Sequence, residues 1–179
     1  MTIQSLDGYV ADERGEFGWA RPDDEVHSFV NDLTRAIGTH LYGRRMYEVM
    51  RVWERPDEMP RMNDVTRDFS TIWRAADKVV YSRTLDTVST ERTRLEREFD
   101  PDAVRALKES SEADLAVAGP SLAASAFRAG LVDELQLVVA PAIVGSGLAS
   151  LAAGVRLDLE LVEERRFASG MAYLRYRTR

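Results

Sequence analysis

Thr39-His40-Leu41-Tyr42-Gly43-Arg44-Arg45-Met46 is the stretch on which the fold turns. Its first four residues read as a short strand, Gly43 lets the chain turn, and Arg44-Arg45 open a helical turn that continues through Met46, Val49 and Met50. The same grammar recurs downstream. Lys78-Val79-Val80-Tyr81 runs into Ser82-Arg83-Thr84, and Leu115-Ala116-Val117-Ala118 runs into Gly119-Pro120-Ser121. Between these strands lie apolar residues at helical spacing. One set is Val26, Phe29, Val30, Leu33 and Ile37, behind Pro22-Asp23-Asp24 and stopped by Gly38. A second is Val65, Phe69, Ile72 and Trp73, and a third is Val104 and Leu107 behind the Asp100-Pro101 cap. A last helix is expected from Ser121 to Ala129, closed by Gly130. Repeated strand–helix–strand units predict an α/β domain with a mostly parallel sheet and helices on both faces. Glu134 to Ala140 is nearly all apolar, as a strand covered on both faces should be. The tail differs: Leu157, Leu159 and Leu161 alternate, as do Ala172, Leu174 and Tyr176, which predicts an antiparallel pair.

The 179 residues fit one domain, with no internal repeat and no linker, so residues 1–179 are read as a single unit. Glu54 to Asn63, with Pro56 and Pro60, reads as a surface loop. No apolar run approaches the roughly 18 residues of a membrane span, and Met1-Thr2-Ile3-Gln4-Ser5 is no secretory leader. A net charge of −6 argues against nucleic acid and anionic membrane as partners. With no cysteine and two histidines, neither a thiol nucleophile nor a metal site is expected. These readings describe a cytoplasmic protein with a small-molecule substrate.

In doubly wound sheets ligands sit beyond the carboxyl ends of the strands, so the three turns are where function is sought. Each suits an anion. Gly43-Arg44-Arg45 combines close backbone approach with two guanidinium groups, Ser82-Arg83-Thr84 offers two hydroxyls and an arginine, and Gly119-Pro120-Ser121 puts a glycine before a helix start. Three such turns suit a ligand with several phosphates, such as a dinucleotide. Neither G-x-G-x-x-G nor a P-loop occurs.

At this point the residues resemble a family. Ser5-Leu6-Asp7-Gly8-Tyr9-Val10-Ala11, Tyr42-Gly43-Arg44-Arg45-Met46-Tyr47-Glu48, Ser82-Arg83-Thr84-Leu85, Ala118-Gly119-Pro120-Ser121-Leu122 and Gly130-Leu131-Val132-Asp133-Glu134-Leu135 follow in the right order. Pro141-x-x-Val144-Gly145-x-Gly147 closes the series. Together they look like the dihydrofolate reductase-like superfamily, in its riboflavin-biosynthesis branch. The likeness is to stand-alone proteins similar to the C-terminal domain of bifunctional deaminase-reductases. The resemblance implies a three-layer fold with a central sheet of about eight strands, the C-terminal ones antiparallel. It also implies an NADPH-dependent reductase working as a homodimer. Gly43, Arg44 and Arg45 would hold cofactor phosphates. Ser82, Arg83 and Thr84 would meet the adenosine 2′-phosphate, and Gly119, Pro120, Ser121 and Leu122 the pyrophosphate. Ser5 to Gly8 would lie near nicotinamide and substrate.

Hydride transfer asks the protein for orientation and a proton source. Asp7 and Asp24 are the candidate donors, and Ser5 and Trp19 the candidate substrate contacts. Trp19-x-x-Pro22-x-Asp24 is similar to the segment that supplies the catalytic carboxylate in dihydrofolate reductases, and a carboxyl buried beside Trp19 would be raised toward a general acid's range. Two departures stand out. Relatives have a longer first strand, so the first strand here is expected to be short or its start displaced. Riboflavin-pathway enzymes usually carry Glu-Gly-Gly where this chain has Val117-Ala118-Gly119. The activity implied is reduction of 5-amino-6-(5-phosphoribosylamino)uracil or a related heterocycle. The alternatives are a divergent dihydrofolate or pterin reductase, and a protein that binds NADPH or a flavin-like ligand without turnover. His27, His40, Trp53 and Trp73 read as structural. Leu148-x-x-Leu151-Ala152-Ala153 and the C-terminal strands offer apolar surface for a partner copy.

Overall fold

The computed structural model describes residues 1–59, 62–151 and 153–179. In chain order the strands are β1 (Thr2–Gln4), β2 (Tyr9–Ala11), β3 (Ile37–Gly43), β4 (Asp77–Tyr81), β5 (Thr93–Glu96), β6 (Asp114–Ala118), β7 (Glu134–Val139), β8 (Leu148–Ala149), β9 (Leu159–Arg166) and β10 (Ala172–Thr178). The helices are α1 (Asp24–Thr34), α2 (Arg44–Met50), α3 (Asp64–Ala75), α4 (Pro101–Ser110) and α5 (Pro120–Arg128). Contacts group the chain into two compact units, Met1–Val26 with Ala123–Arg179, and His27–Leu122.

The central unit, His27–Leu122, is built on a four-stranded ladder in the order β5-β4-β3-β6. Every pairing in it is parallel. Its core is aromatic. Trp73 on α3 is fully buried and its indole N–H donates to the Tyr42 hydroxyl at 3.1 Å. Lys78 is buried too, with Nζ donating to the Trp73 carbonyl at 3.2 Å and lying 4.3 Å from the Trp73 ring centroid. Burial lowers the Lys78 pKa. Asn63 starts α3 with a reciprocal cap: its side chain accepts from the Thr66 N–H, and Thr66 Oγ1 accepts from the Asn63 N–H.

The other unit carries a mixed ladder, β1-β7-β10-β9, in which β1 pairs with β7 in parallel and β10 runs antiparallel to both its neighbours. Val138, Ala140, Phe167 and Tyr173 form its core. The small β2–β8 pair is joined to β1 through Ser150, whose hydroxyl donates to Gln4 Oε1 at 2.5 Å and whose N–H donates to the Gly8 carbonyl.

The helix–strand grammar holds with one displaced boundary. The first helix ends at Thr34, not at Gly38, and Ile37 and Gly38 already belong to β3. Gly38 is small for a packing reason: a Cβ there would sit 2.7 Å from Ala113 Cβ, where the β3–β6 register shifts. The expected loop from Glu54 holds two short 3₁₀ turns, Arg51–Glu54 and Pro56–Glu58, while Pro60 falls outside the described residues. The short strands β2, β5 and β8 went unread in the sequence. No helix among the described residues is long and apolar enough to cross a membrane.

Candidate functional site

The three anion-suited turns meet at one edge of the parallel ladder. Register sets Gly43 opposite Tyr81 and Tyr42 opposite Ala118, so the chain leaves β3, β4 and β6 at the same level into Gly43-Arg44-Arg45, Ser82-Arg83-Thr84 and Gly119-Pro120-Ser121. From β3 the chain moves to β4 and β5 on one side, then returns to β6 on the other. The reversal between β3 and β6 is a topological switch point, the place beyond the carboxyl ends of the strands where ligands sit in sheets of this kind. Gly43 and Gly119 flank it.

Each turn is built differently. At Gly43 no atom lies within 4 Å of where a Cβ would project, which leaves room for close approach to its backbone. Arg44 and Arg45 are exposed, and Arg44 Nε lies 3.8 Å from Glu48. Gly119 has a φ of +97°, which an L side chain rarely adopts, and it hands the chain to Pro120 at the start of α5. Ser121 is exposed, whereas the Leu122 side chain is buried, leaving only its backbone to face a ligand. Ser82 is buried, and its hydroxyl accepts from the Thr84 and Leu85 N–H groups at 3.2 and 3.0 Å, so it shapes the turn more than it faces solvent. Arg83 and Thr84 are exposed, and Arg83 is paired to Glu98 at 2.9 Å.

Sequence reading missed two features here. Arg97, just past β5, donates from Nη1 to the Leu85 carbonyl at 2.6 Å and to the Ser82 carbonyl at 3.3 Å, stitching the second turn to the ladder. A hollow of about 580 Å³ opens between α2 and the irregular segment 84–89 that follows that turn, lined by Tyr47, Glu48, Arg51, Thr84, Leu85 and Asp86 among others. The Tyr47 hydroxyl accepts from the Ser89 N–H at 2.8 Å and fixes one wall. No signal in the sequence pairs Arg97 with a turn twelve residues upstream, because β5 itself was unread.

The candidate acids lie in the other unit, and their settings differ. Asp7 is exposed and accepts from the Val144 N–H with both oxygens at 3.2 Å and from the Gly145 N–H at 2.8 Å. The Ser5 hydroxyl beside it, together with those N–H groups, holds the Asp7 carboxyl below its ordinary value. It is an acceptor that clasps a loop, the opposite of a group poised to give up a proton. Ser5 is fully buried, accepts from the Tyr9 N–H at 2.9 Å and presents nothing to a ligand. Gly147 seals the same loop, since a Cβ there would run into the Ala11 carbonyl.

Asp24 is the first residue of α1, with Asp23 capping the helix by accepting from the Val26 N–H at 2.9 Å. Asp24 is exposed, so the burial expected beside Trp19 is absent from the chain by itself. Trp19 is half-buried in a short 3₁₀ turn, and its indole N–H is buried with no hydrogen-bond partner among the described residues. Glu25 anchors the helix start, accepting from the Ala168 N–H at 3.1 Å and lying 3.6 Å from Arg165. Among the described residues no cluster of metal-ligating side chains occurs.

A unit of parallel strands with glycine turns at a switch point, and a second unit built on a mixed ladder, define an α/β protein of the dihydrofolate reductase-like fold. Dihydrofolate reductase from Enterococcus faecalis, solved as a complex with NADP(H), superposes with a TM-score of 0.65 at 14% identity, covering 99% of this chain and 93% of that one. RibD from Acinetobacter baumannii gives a TM-score of 0.70 at 16% identity, covering 99% of this chain and 56% of RibD. The chain belongs to the RibD C-terminal domain family, whose sequence pattern matches residues 1–173. Among curated proteins, the uncharacterized protein YyaP of Bacillus subtilis is 26% identical over 174 residues, 96% of this chain and 89% of YyaP.

Proposed function

We propose that the protein is an NADPH-dependent reductase of a small heterocyclic substrate, similar in reaction to reduction of 5-amino-6-(5-phosphoribosylamino)uracil. The observation that carries this reading is the alignment of three anion-suited turns at the carboxyl ends of three neighbouring parallel strands, two of them flanking a switch point. Membership of the RibD C-terminal domain family supports it.

The turns fit a dinucleotide. Gly43 leaves its backbone open, Arg44 and Arg45 supply charge-assisted donors, and the glycine-only backbone at Gly119 lets phosphate approach the start of α5. Ser82, Arg83 and Thr84 form the turn that meets an adenosine phosphate, and Pro120, Ser121 and the Leu122 backbone line the pyrophosphate. When bound, the reduced nicotinamide supplies a hydride to a C=N or C=O carbon, and the heteroatom takes a proton. Of the two carboxyls, Asp24 at the exposed start of α1 is the one read as serving that proton, since Asp7 spends both oxygens on the Val144 and Gly145 N–H groups, and the Ser5 hydroxyl and those groups hold its pKa down. The Trp19 indole N–H is a donor left for the substrate or for a water that serves it.

The absence of the acidic residue from Val117-Ala118-Gly119 favours a second substrate class, a dihydropterin or dihydrofolate, which the Trp19–Asp24 segment also suits. The protein is read as cytoplasmic and as a homodimer, with Leu148, Leu151, Leu159 and Leu161 exposed for pairing; Ala152 in that stretch falls outside the described residues. The test is calorimetric titration with NADPH and with NADH, followed by a turnover panel of the ribosylaminouracil phosphate, dihydrofolate and a dihydropterin. Tight NADPH binding with turnover of one of them is the expected result. Binding without turnover on the panel would make the chain a cofactor-binding protein, and no binding at millimolar dinucleotide would remove the reading altogether.

A further inference from the structure

We infer that Arg97, a residue on no family motif quoted above, is the guanidinium that recognises the 2′-phosphate of NADPH, and that Glu98 limits the contribution of Arg83. The inference rests on the proposed cofactor reading and concerns which side chain sets the NADPH preference.

The arginines on and around β5 and the turn after β4 are not equivalent. Arg92 is paired to Asp77 at 3.0 Å, Arg94 to Glu96 at 3.3 Å and Arg83 to Glu98 at 2.9 Å. Arg97 has no carboxylate partner among the described residues. Its Nη1 spans the Leu85 and Ser82 carbonyls, which fixes the plane of the guanidinium against the turn and leaves the donors on Nε and Nη2 unengaged. Arginine carries five N–H donors in a rigid fork, so a group held by one nitrogen still presents a bidentate edge to a phosphate. Its side-chain freedom is already restricted by the turn, so little more is lost when the anion arrives. Arg83 is exposed, and a phosphate reaching it has to displace a carboxylate.

The local shape agrees. Leu85, whose carbonyl Arg97 holds, also lines the hollow of about 580 Å³ with Thr84, Tyr47 and Arg51 and with the carboxylates Glu48 and Asp86, which leave the phosphate to the guanidinium outside it. That volume is in the range of small-molecule sites and suits a nucleoside, and the Ser82 hydroxyl keeps the turn closed by accepting from Thr84 and Leu85. Arg97 does not line the hollow itself but holds the Leu85 carbonyl at its wall, so a nucleoside seated there would direct a phosphate monoester toward that guanidinium, as the 2′-phosphoadenosine end of NADPH does.

The experiment measures dissociation constants of NADPH, NADH and adenosine 2′,5′-bisphosphate by calorimetry for the wild type, Arg97→Gln, Arg97→Lys, Arg83→Gln and Glu98→Gln. The ratio of NADH to NADPH constants is the readout, because damage to the turn weakens both ligands alike. Arg97→Gln is expected to cut the ratio about tenfold, as loss of a charged hydrogen-bonding group should, with NADH binding little changed. Arg97→Lys restores part of the ratio, having the charge without the fork. Arg83→Gln has the smaller effect, and Glu98→Gln raises NADPH affinity about two- to threefold, the scale of an exposed ion pair. If NADPH is preferred and Arg97→Gln leaves the ratio intact, or weakens both dinucleotides equally, Arg97 merely braces the turn and the inference is overturned while the reductase reading stands. If the wild type binds none of the three ligands, the cofactor reading fails and takes the inference with it.

Discussion

The unit from His27 to Leu122 and the unit formed by the two chain ends solve different problems with different materials. The central unit places its candidate ligand groups by backbone topology: parallel strands in register bring Gly43, Ser82 and Gly119 to one edge. The terminal unit places its carboxylates by side-chain contacts between segments far apart in sequence, as when Asp7 clasps Val144 and Gly145. Topology tolerates substitution, because a turn after a strand stays where the ladder puts it. A clasp depends on the side chain itself, here one carboxylate that holds two N–H groups. The difference predicts that lesions in the central unit act first through its core, and lesions in the terminal unit act locally, on loops and chemistry.

The largest effect should come from the core that holds the ladder. Trp73→Ala removes a fully buried side chain, leaves the Tyr42 hydroxyl without its indole partner and strips the ring beneath Lys78. A loss of about 3–5 kcal/mol is expected from cavity formation alone, enough to unfold a marginal domain. Urea unfolding monitored by far-UV circular dichroism checks it. Trp73→Phe, which keeps most of the volume, should lose clearly less; equal losses would show that the core is not what places the three turns.

A comparable effect on chemistry, without one on binding, belongs to the terminal unit. Asp24→Asn should lower kcat by about 10²–10⁴-fold, the usual worth of a general acid, while leaving the NADPH dissociation constant unchanged. Steady-state kinetics and calorimetry on the same preparation separate the two. A variant that loses NADPH binding along with turnover would break the division between cofactor turns in one unit and proton supply in the other.

The central unit should also fail in acid. His40 is buried on β3 and its Nε2 has no hydrogen-bond partner among the described residues, so burial, with buried Lys78 opposite it on β4, pushes its pKa down to about 4. The unfolded chain takes up this proton near 6.5, so between about 6.5 and 4 the unfolded state binds more protons and stability falls as pH falls. Over that window the loss is about 3 kcal/mol. Unfolding free energies of wild type and His40→Phe across this range should converge toward acid; parallel curves would show that His40 is not the group responsible.

How much of this was legible depends on the same contrast. The helices of the central unit, the strands β3, β4 and β6 and the three turns could be read because their signals are local: apolar period, glycine after a strand, a capping residue. Gly38 was misread because a glycine after an apolar run looks like a helix stop, when its real constraint is Ala113, some seventy-five residues on and closing on β3 from β6. The strand β5 was missed because Thr93-Arg94-Leu95-Glu96 is short and half charged, as an edge strand can be, and Arg97 was lost with it. Asp7 and Ser5 stand out in the sequence as part of one short motif, yet what they do could not be read. Their roles come from Val144, Gly145 and Tyr9, and no local pattern says that a carboxylate will spend its lone pairs on backbone N–H groups.

The smallest expected effect tests the clasp itself. Asp7→Asn keeps one carbonyl acceptor for the Val144 and Gly145 N–H groups but loses the charge and the second oxygen. A modest drop in the unfolding midpoint is expected at neutral pH, with turnover falling less than in Asp24→Asn. Because the native carboxyl titrates below its unfolded value, its stabilisation is present above the unfolded pKa near 3.8 and is lost as pH falls through the depressed native one. The wild-type advantage over Asp7→Asn should therefore hold at neutral pH and vanish in strong acid, and thermal melts at a series of pH values follow it. If instead Asp7→Asn abolishes turnover while its melting curve matches the wild type, Asp7 is the proton donor after all. The terminal unit would then carry its chemistry on the loop and not on the helix.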